Sequence, residues 1–270
     1  MTSTVVLVGC GNMGYAMLGG WLKSGRLSPE NVWVVEPSPT LRERAAALDA
    51  HAVQDSDTLP PDLRPDLVVF AVKPQVMRDV VRGYRRFADG QTTFLSIAAG
   101  TSIATFEDIL GAVPIVRCMP NTPVAIGKGM MVTVANRLVT DSALATIDGL
   151  LAASGKVAKI DDEAQMDAVT AVSGSGPAYV FHFIEALTVA AQNAGLPADT
   201  AKLLAMQTVY GAASLAAESN DDPGTLRQQV TSPNGTTAAA LAVLMGDNRL
   251  TQLVTEAVEA ARLRSIELGK

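Results

Sequence analysis

Cysteine is nearly absent from this chain. Its 270 residues hold two, Cys10 and Cys118. A disulfide framework is excluded by number, and a reducing, cytoplasmic setting fits best. Histidine is equally scarce: His51 and His182 stand far apart, and no metal-ligand spacing exists, so no metal is expected. Charged residues are only 18% and form no basic cluster, and the net charge is -6, which makes nucleic acid a poor partner. No apolar run reaches the ~18 residues that a spanning helix needs, so no membrane partner is expected. The stretch Met1-Thr2-Ser3-Thr4-Val5 lacks the cationic region of a secretory leader. What is abundant is apolar surface, at 48% of residues, enough to bury a sizeable core and to exclude disorder.

The most informative stretch is Gly9-Cys10-Gly11-Asn12-Met13-Gly14. An apolar, β-rich run, 4–8, precedes it, and a helical pattern, 15–22, follows. In a strand, G-x-G-x-x-G, helix sequence each glycine has a task. Gly9 permits the tight bend, Gly11 lets the backbone approach a pyrophosphate, and Gly14 lets helix and strand pack closely. The helix N-terminus then offers free N–H groups to the phosphates. A second strand, 31–36, ends at Glu36. A carboxylate there would bond a ribose 2′-hydroxyl and repel a 2′-phosphate, which argues for NADH. Ser38, Arg42 and Arg44 lie just beyond and suit a 2′-phosphate instead, so these residues leave the choice open.

Further strands read at 66–72, 92–98, 114–118, 129–134 and 156–160, with helices at 40–50, 76–87, 103–110 and 140–153. Alternation of this kind argues for an α/β fold with a doubly wound, largely parallel sheet. Strand C-terminal ends line the ligand crevice in such a sheet, so Lys73 and the backbone from Ala71 to Pro74 are candidates for the cofactor side. From Glu163 onward the pattern is helical only, over 163–172, 177–194, 197–218, 223–230, 235–245 and 249–268. The boundary is expected near Asp161 and Asp162, giving a dinucleotide-binding domain over 1–161 and a helical domain over 162–270.

Across 171–217 only Glu185, Asp199 and Lys202 are charged. A surface helix should show a polar face, so these helices are expected to be covered by a second copy of the chain. Two hydroxyl-rich stretches punctuate this half: Ser173-Gly174-Ser175-Gly176-Pro177 and Thr231-Ser232-Pro233-Asn234-Gly235-Thr236-Thr237. Each is read as breaking one helix and starting another, where free N–H groups hold a carboxylate well.

Together with Ala71-Val72-Lys73-Pro74 and Arg117-Cys118-Met119-Pro120-Asn121-Thr122-Pro123, these motifs resemble pyrroline-5-carboxylate reductase over about 4–268. The resemblance implies an oxidoreductase of amino-acid biosynthesis that reduces 1-pyrroline-5-carboxylate to L-proline, the last step of proline biosynthesis. It further implies a Rossmann domain, a helical domain that dimerises, and dimers that often form decamers. NADPH is the implied cofactor, with NADH as the other possibility that Glu36 raises. Val8, Gly9, Cys10, Gly11, Asn12 and Met13 would cradle the pyrophosphate, and Glu36 and Ser38 would meet the adenosine ribose. Ala71, Val72, Lys73, Pro74, Ile97, Ala98 and Ala99 would line the dinucleotide. Ser173, Gly174, Ser175, Gly176, Thr236 and Thr237 would hold the substrate, with Thr237 as the catalytic residue at the ring nitrogen. Asn234 stands where the family usually has a second glycine, and Asn tolerates the left-handed backbone such a turn needs.

Ketone reduction commonly uses a Lys or His proton donor. Past the boundary the only lysines are Lys202 and Lys270, and His182, in Phe181-His182-Phe183, reads as a core histidine. A cyclic imine takes its proton from water, so no such donor is needed. A 3-hydroxyacid dehydrogenase-like reductase would need a lysine on the first helices of the second domain, where none lies between Lys159 and Lys202. A non-catalytic dinucleotide-sensing protein is the remaining alternative; it would bind cofactor without turnover.

Overall fold

The structure is a computed structural model and describes residues 3–269. Eight strands form one sheet: β1 (Val5–Val8), β2 (Val32–Val35), β3 (His51–Val53), β4 (Leu67–Phe70), β5 (Thr93–Ser96), β6 (Ile115–Met119), β7 (Gly129–Ala135) and β8 (Gly155–Lys159). Their order is β3-β2-β1-β4-β5-β6-β7-β8, and only the β6–β7 pairing is antiparallel. The helices of this part are α1 (Asn12–Lys23), α2 (Pro39–Ala46), α3 (Pro74–Arg82), α4 (Ile103–Leu110), α5 (Asp141–Ala152) and the short α6 (Met166–Val169). The α/β architecture expected from the alternating pattern is the one observed.

The sheet is parallel at its centre because those strands have no polar face. All four residues of β1, β4 and β5 are buried. Side chains alternate between two cores. Val5 and Leu7 pack with Met17, Leu18 and Trp21 of α1, while Val6 and Val8 pack with Phe70, Tyr84, Phe94 and Phe106 on the other face. β7 turns back because a single 3₁₀ segment, Thr122–Ile126, joins it to β6, too short for a crossover.

Two features differ from the sequence reading. β3 was not expected: three residues give too little alternation to read, and it pairs only with β2, where Trp33 stacks on His51 at 4.3 Å between ring centroids. The stretch from Ser173 to Pro177 was expected to break a helix, yet the backbone stays helical. A π-helical segment, Thr170–Gly174, bridges α6 and α7 (Gly176–Asn193), and Ser175 N donates to Thr170 O at 2.8 Å. The wider turn shifts the ladder, so Pro177 falls in the first turn of α7, where its missing N–H leaves no gap.

The chain divides into two compact units, one running to Ser175 and rejoining at Ala261, the other Gly176–Ala260. The strands end at Lys159, so helices already begin inside the first unit. There Ser265 Oγ donates to Asp167 Oδ1 at 2.6 Å, fastening the end of the last helix, α11 (Arg249–Leu268), beside α6. The second unit holds α7, α8 (Ala198–Glu218), α9 (Pro223–Gln229), α10 (Thr236–Met245) and most of α11. Its helices bury little: none of α7 or α10, and only Ala201 and Ala205 of α8. Leu203 is 67% exposed and Phe181 60%. Among the described residues no helix is long and apolar enough to cross a membrane.

Two predictions follow from the packing of the first unit. A Cβ on Gly14 would run into Gly9 O and lie 3.3 Å from Ala71 Cβ, both on fixed backbone. Gly14→Ala should therefore cost roughly 1–3 kcal/mol of stability, read as a lower denaturation midpoint. Cys10 and Cys118 are free and buried. Burial pushes the Cys10 thiol up to about 11, with Arg44 opposing and Glu36 adding to the rise, and burial raises Cys118 as well. Iodoacetamide at pH 8 should leave both unmodified in the native protein and alkylate both in denaturant.

Candidate active site

Parallel register brings four strand ends to one edge of the sheet. Val8 stands beside Val35 and Phe70, and Phe70 beside Ser96. The residues after these positions are Gly9, Glu36, Ala71 and Ile97, so candidates from four separate stretches meet at one end of the sheet. Ala71 N donates to Val8 O at 2.8 Å and Ile97 N to Phe70 O at 3.1 Å, which keeps the edge regular. Ile97 and Ala98 are buried, Ala99, Ala71 and Val72 are half-buried, and Lys73 and Pro74 are exposed at the start of α3.

The glycine loop has the shape its three glycines imply. Gly9 sits at φ +89°, and a Cβ there would lie 2.8 Å from Val72 Cγ1. Gly11 has open space where a Cβ would point, so another molecule can come close to the backbone. It is also the N-cap of α1 and gives no side-chain cap. The first-turn amides, Asn12 and Met13 among them, are thus left for an anion. An uncapped helix start beside an open glycine fits a dinucleotide pyrophosphate.

Glu36 is not a solvated carboxylate. It is 6% exposed, and both oxygens are held: Oε2 accepts from Cys10 N at 2.7 Å, and Oε1 from Ser38 N at 3.0 Å. The two arginines beyond it bind backbone carbonyls. Arg42 Nη1 donates to Glu36 O at 2.9 Å and Pro37 O at 3.1 Å. Arg44 Nη2 donates to Cys10 O at 3.0 Å, with its guanidinium 4.0 Å from the Tyr15 ring centroid. A cleft of about 1150 Å³ runs along α1 from Asn12 and Met13 to Lys23 and faces Thr122–Ile126, but it touches none of Glu36, Ala71 or Ile97.

The substrate-side candidates fall in separate units. Ser173 and Gly174 lie in the π-helical segment and Ser175 closes it, all in the first unit, whereas Gly176, Thr236 and Thr237 belong to the second. Thr236 and Thr237 open α10 behind Gly235, again with no side-chain cap. Asn234 adopts φ +60°, the left-handed turn expected of it. His182 is not a core residue: its side chain is 82% exposed and its Nδ1 lies 3.2 Å from Glu185 Oε2. Among the described residues no cluster of His, Cys, Asp or Glu could hold a metal ion.

Two contributors escaped the sequence reading. Asn121 Oδ1 accepts from Met130 N at 2.8 Å while Nδ2 donates to Ser173 O at 3.2 Å, which ties the Pro120–Pro123 turn to the hydroxyl-rich π segment. Glu163 Oε1 accepts from the buried Arg117 at 2.9 Å and from Ile103 N at 2.9 Å. The only local signal for Asn121 was its place between two prolines, which marks a stiff turn without naming its partner.

Known proteins resemble this chain in sequence and fold. A family model described as pyrroline-5-carboxylate reductase dimerisation matches residues 163–268, and one described as NADP oxidoreductase, coenzyme F420-dependent, matches residues 4–100. The pyrroline-5-carboxylate reductase of Pseudomonas aeruginosa is 39% identical over all of this chain and 98% of its own length. That of Escherichia coli is 36% identical, with both chains fully covered. The solved structure of a pyrroline-5-carboxylate reductase from Coxiella burnetii superposes with a TM-score of 0.94 at 36% identity, covering both chains completely. The Plasmodium falciparum pyrroline carboxylate reductase with NADP bound gives 0.83 at 30% identity, over 99% of this chain and 98% of that one. Similarity of this degree, running unbroken through the glycine loop and the hydroxyl-rich helical half alike, places the chain in the pyrroline-5-carboxylate reductase family.

Proposed function

We propose that this protein reduces 1-pyrroline-5-carboxylate to L-proline with NADPH or NADH, as the last step of proline biosynthesis. The observation that carries the reading is a preformed dinucleotide cradle joined to a helical half with hydroxyl-bearing helix starts and no lysine between Lys159 and Lys202. The resemblance favours NADPH, and a relative holds NADP; Glu36 speaks for NADH. The reduced nicotinamide, when bound, supplies a hydride to the imine carbon that becomes C5 of proline.

The chain's own residues bind, orient and exclude water. Val8 to Met13 form the turn that takes the pyrophosphate, with Gly11, Asn12 and Met13 offering their amides, since Gly9 N is bonded to Val35 O and Cys10 N to Glu36. Ala71, Val72 and Ile97 to Ala99 form an apolar floor for the dinucleotide, with the exposed Lys73 and Pro74 at its rim. The amides that open α10 take the substrate carboxylate. Thr237 places its hydroxyl at the ring nitrogen, whose proton comes from solvent. Orientation is then the main demand on the site.

The chain associates through its dimerisation domain. We assign the exposed faces of α7 and α8 to a homodimer, which can stack into a decamer of five dimers. The two free, buried thiols support a reducing compartment, the cytoplasm. A 3-hydroxyacid dehydrogenase-like reaction lacks its lysine here, and a mere dinucleotide sensor would show no turnover.

Mixing the purified protein with pyrroline-5-carboxylate and reduced cofactor should consume cofactor and yield proline in equal amounts; binding without turnover would favour the sensor. Thr237→Ala should lower kcat/KM for pyrroline-5-carboxylate about 10- to 100-fold, the loss of one hydrogen bond to a charged group, and leave cofactor affinity within about twofold. An unchanged kcat/KM would remove Thr237 from the chemistry. Light scattering at micromolar concentration should give twice the chain mass or a multiple of it, and a monomer would contradict the assignment of the exposed faces.

A further inference from the structure

We infer that Glu36 is a specificity-determining residue that favours NADH over NADPH. The inference rests on the proposed dinucleotide site and goes beyond it, because family membership leaves the choice between the two cofactors open. Glu36 follows the last residue of β2, where a doubly wound fold meets the adenosine ribose. Its carboxylate is locked from two sides, by Cys10 N–H at 2.7 Å and by Ser38 N–H at 3.0 Å. One anchor lies inside the glycine loop and the other at the N-cap of α2, so the group cannot swing away without breaking both bonds.

Three consequences bear on a 2′-phosphate. It would approach a fixed negative charge shielded from water, where Coulomb repulsion is strongest. The Ser38 amide at the start of α2, a natural donor to such a phosphate, is already used by Glu36. The nearby guanidiniums are turned to backbone carbonyls, Arg42 to Glu36 O and Pro37 O, and Arg44 to Cys10 O and the Tyr15 face, so a 2′-phosphate would have to draw them from those contacts. A ribose 2′-hydroxyl, in contrast, is a donor that a held carboxylate accepts at no cost in reorganisation. Discrimination thus combines an acceptor suited to NADH with a charge set against NADPH.

Glu36 also braces the loop, and the test must separate that task from selection. Nicotinamide fluorescence titrations of the full chain, without substrate, give dissociation constants for NADH and NADPH in the wild type, Glu36→Gln and Glu36→Ser. AMP and adenosine 2′,5′-bisphosphate, as competitors, differ only in the 2′-phosphate and read the ribose end alone. The wild type should bind NADH at least as tightly as NADPH. Glu36→Gln keeps the shape and an acceptor oxygen but removes the charge. It should raise the affinity ratio of NADPH to NADH about tenfold or more, and adenosine 2′,5′-bisphosphate should gain on AMP in parallel. Equal weakening of both dinucleotides, or an unchanged ratio, would leave Glu36 a brace and overturn the inference. So would wild-type binding of NADPH tenfold tighter than NADH, a comparison that stands even if neither variant folds. Failure of the wild type to bind either dinucleotide would instead refute the underlying site.

Discussion

No side chain fits at Gly9 or Gly14, on either side of the turn where β1 enters α1, and much of the first unit is arranged around that constraint. Gly14 stands against the carbonyl of Gly9, and Gly9 against Val72 and Ala71. The close approach presses the start of α1 onto the ends of β1 and β4. It thereby aims the uncapped first turn of the helix across the crevice at the sheet's edge. Glu36 extends the constraint sideways, since its bond to Cys10 N joins the end of β2 to the glycine loop.

Much of this was legible in the sequence, and the reasons are physical. β1, β4 and β5 are buried on both faces, so their apolar runs are uninterrupted and easy to read. α4 and α11 span 103–110 and 249–268, as periodicity and punctuation implied. The glycine spacing announced its own geometry because each glycine answers a local steric demand. What stayed hidden depends on distant partners. Asn121 meets Ser173 across 52 positions, and Glu36 meets Cys10 across 26. A carboxylate at the end of β2 reads the same in sequence whether it is solvated or locked. The continuous helix through Ser173 to Gly176 was hidden for another reason: glycines, serines and a proline usually signal an exit, and a π turn absorbs them only when the ladder slips by one residue.

The chemistry of the second half is defined by an absence and by a surface. A ketone reductase would place a cation at the developing alkoxide, whereas an imine carries its proton already and asks for orientation. Hydroxyls and the uncapped amides that open α10 suit that demand. Apolar helices with almost nothing buried are costly in water for a lone chain. Association covers them, which is consistent with a dimerisation domain over 163–268.

The central claim is direct reduction of a cyclic imine carbon. The most direct measurement uses cofactor carrying deuterium at the transferable C4 position and follows the product by mass spectrometry and NMR. The account predicts one deuterium per proline, at C5 only. Proline without the label, or label at another carbon, would contradict it.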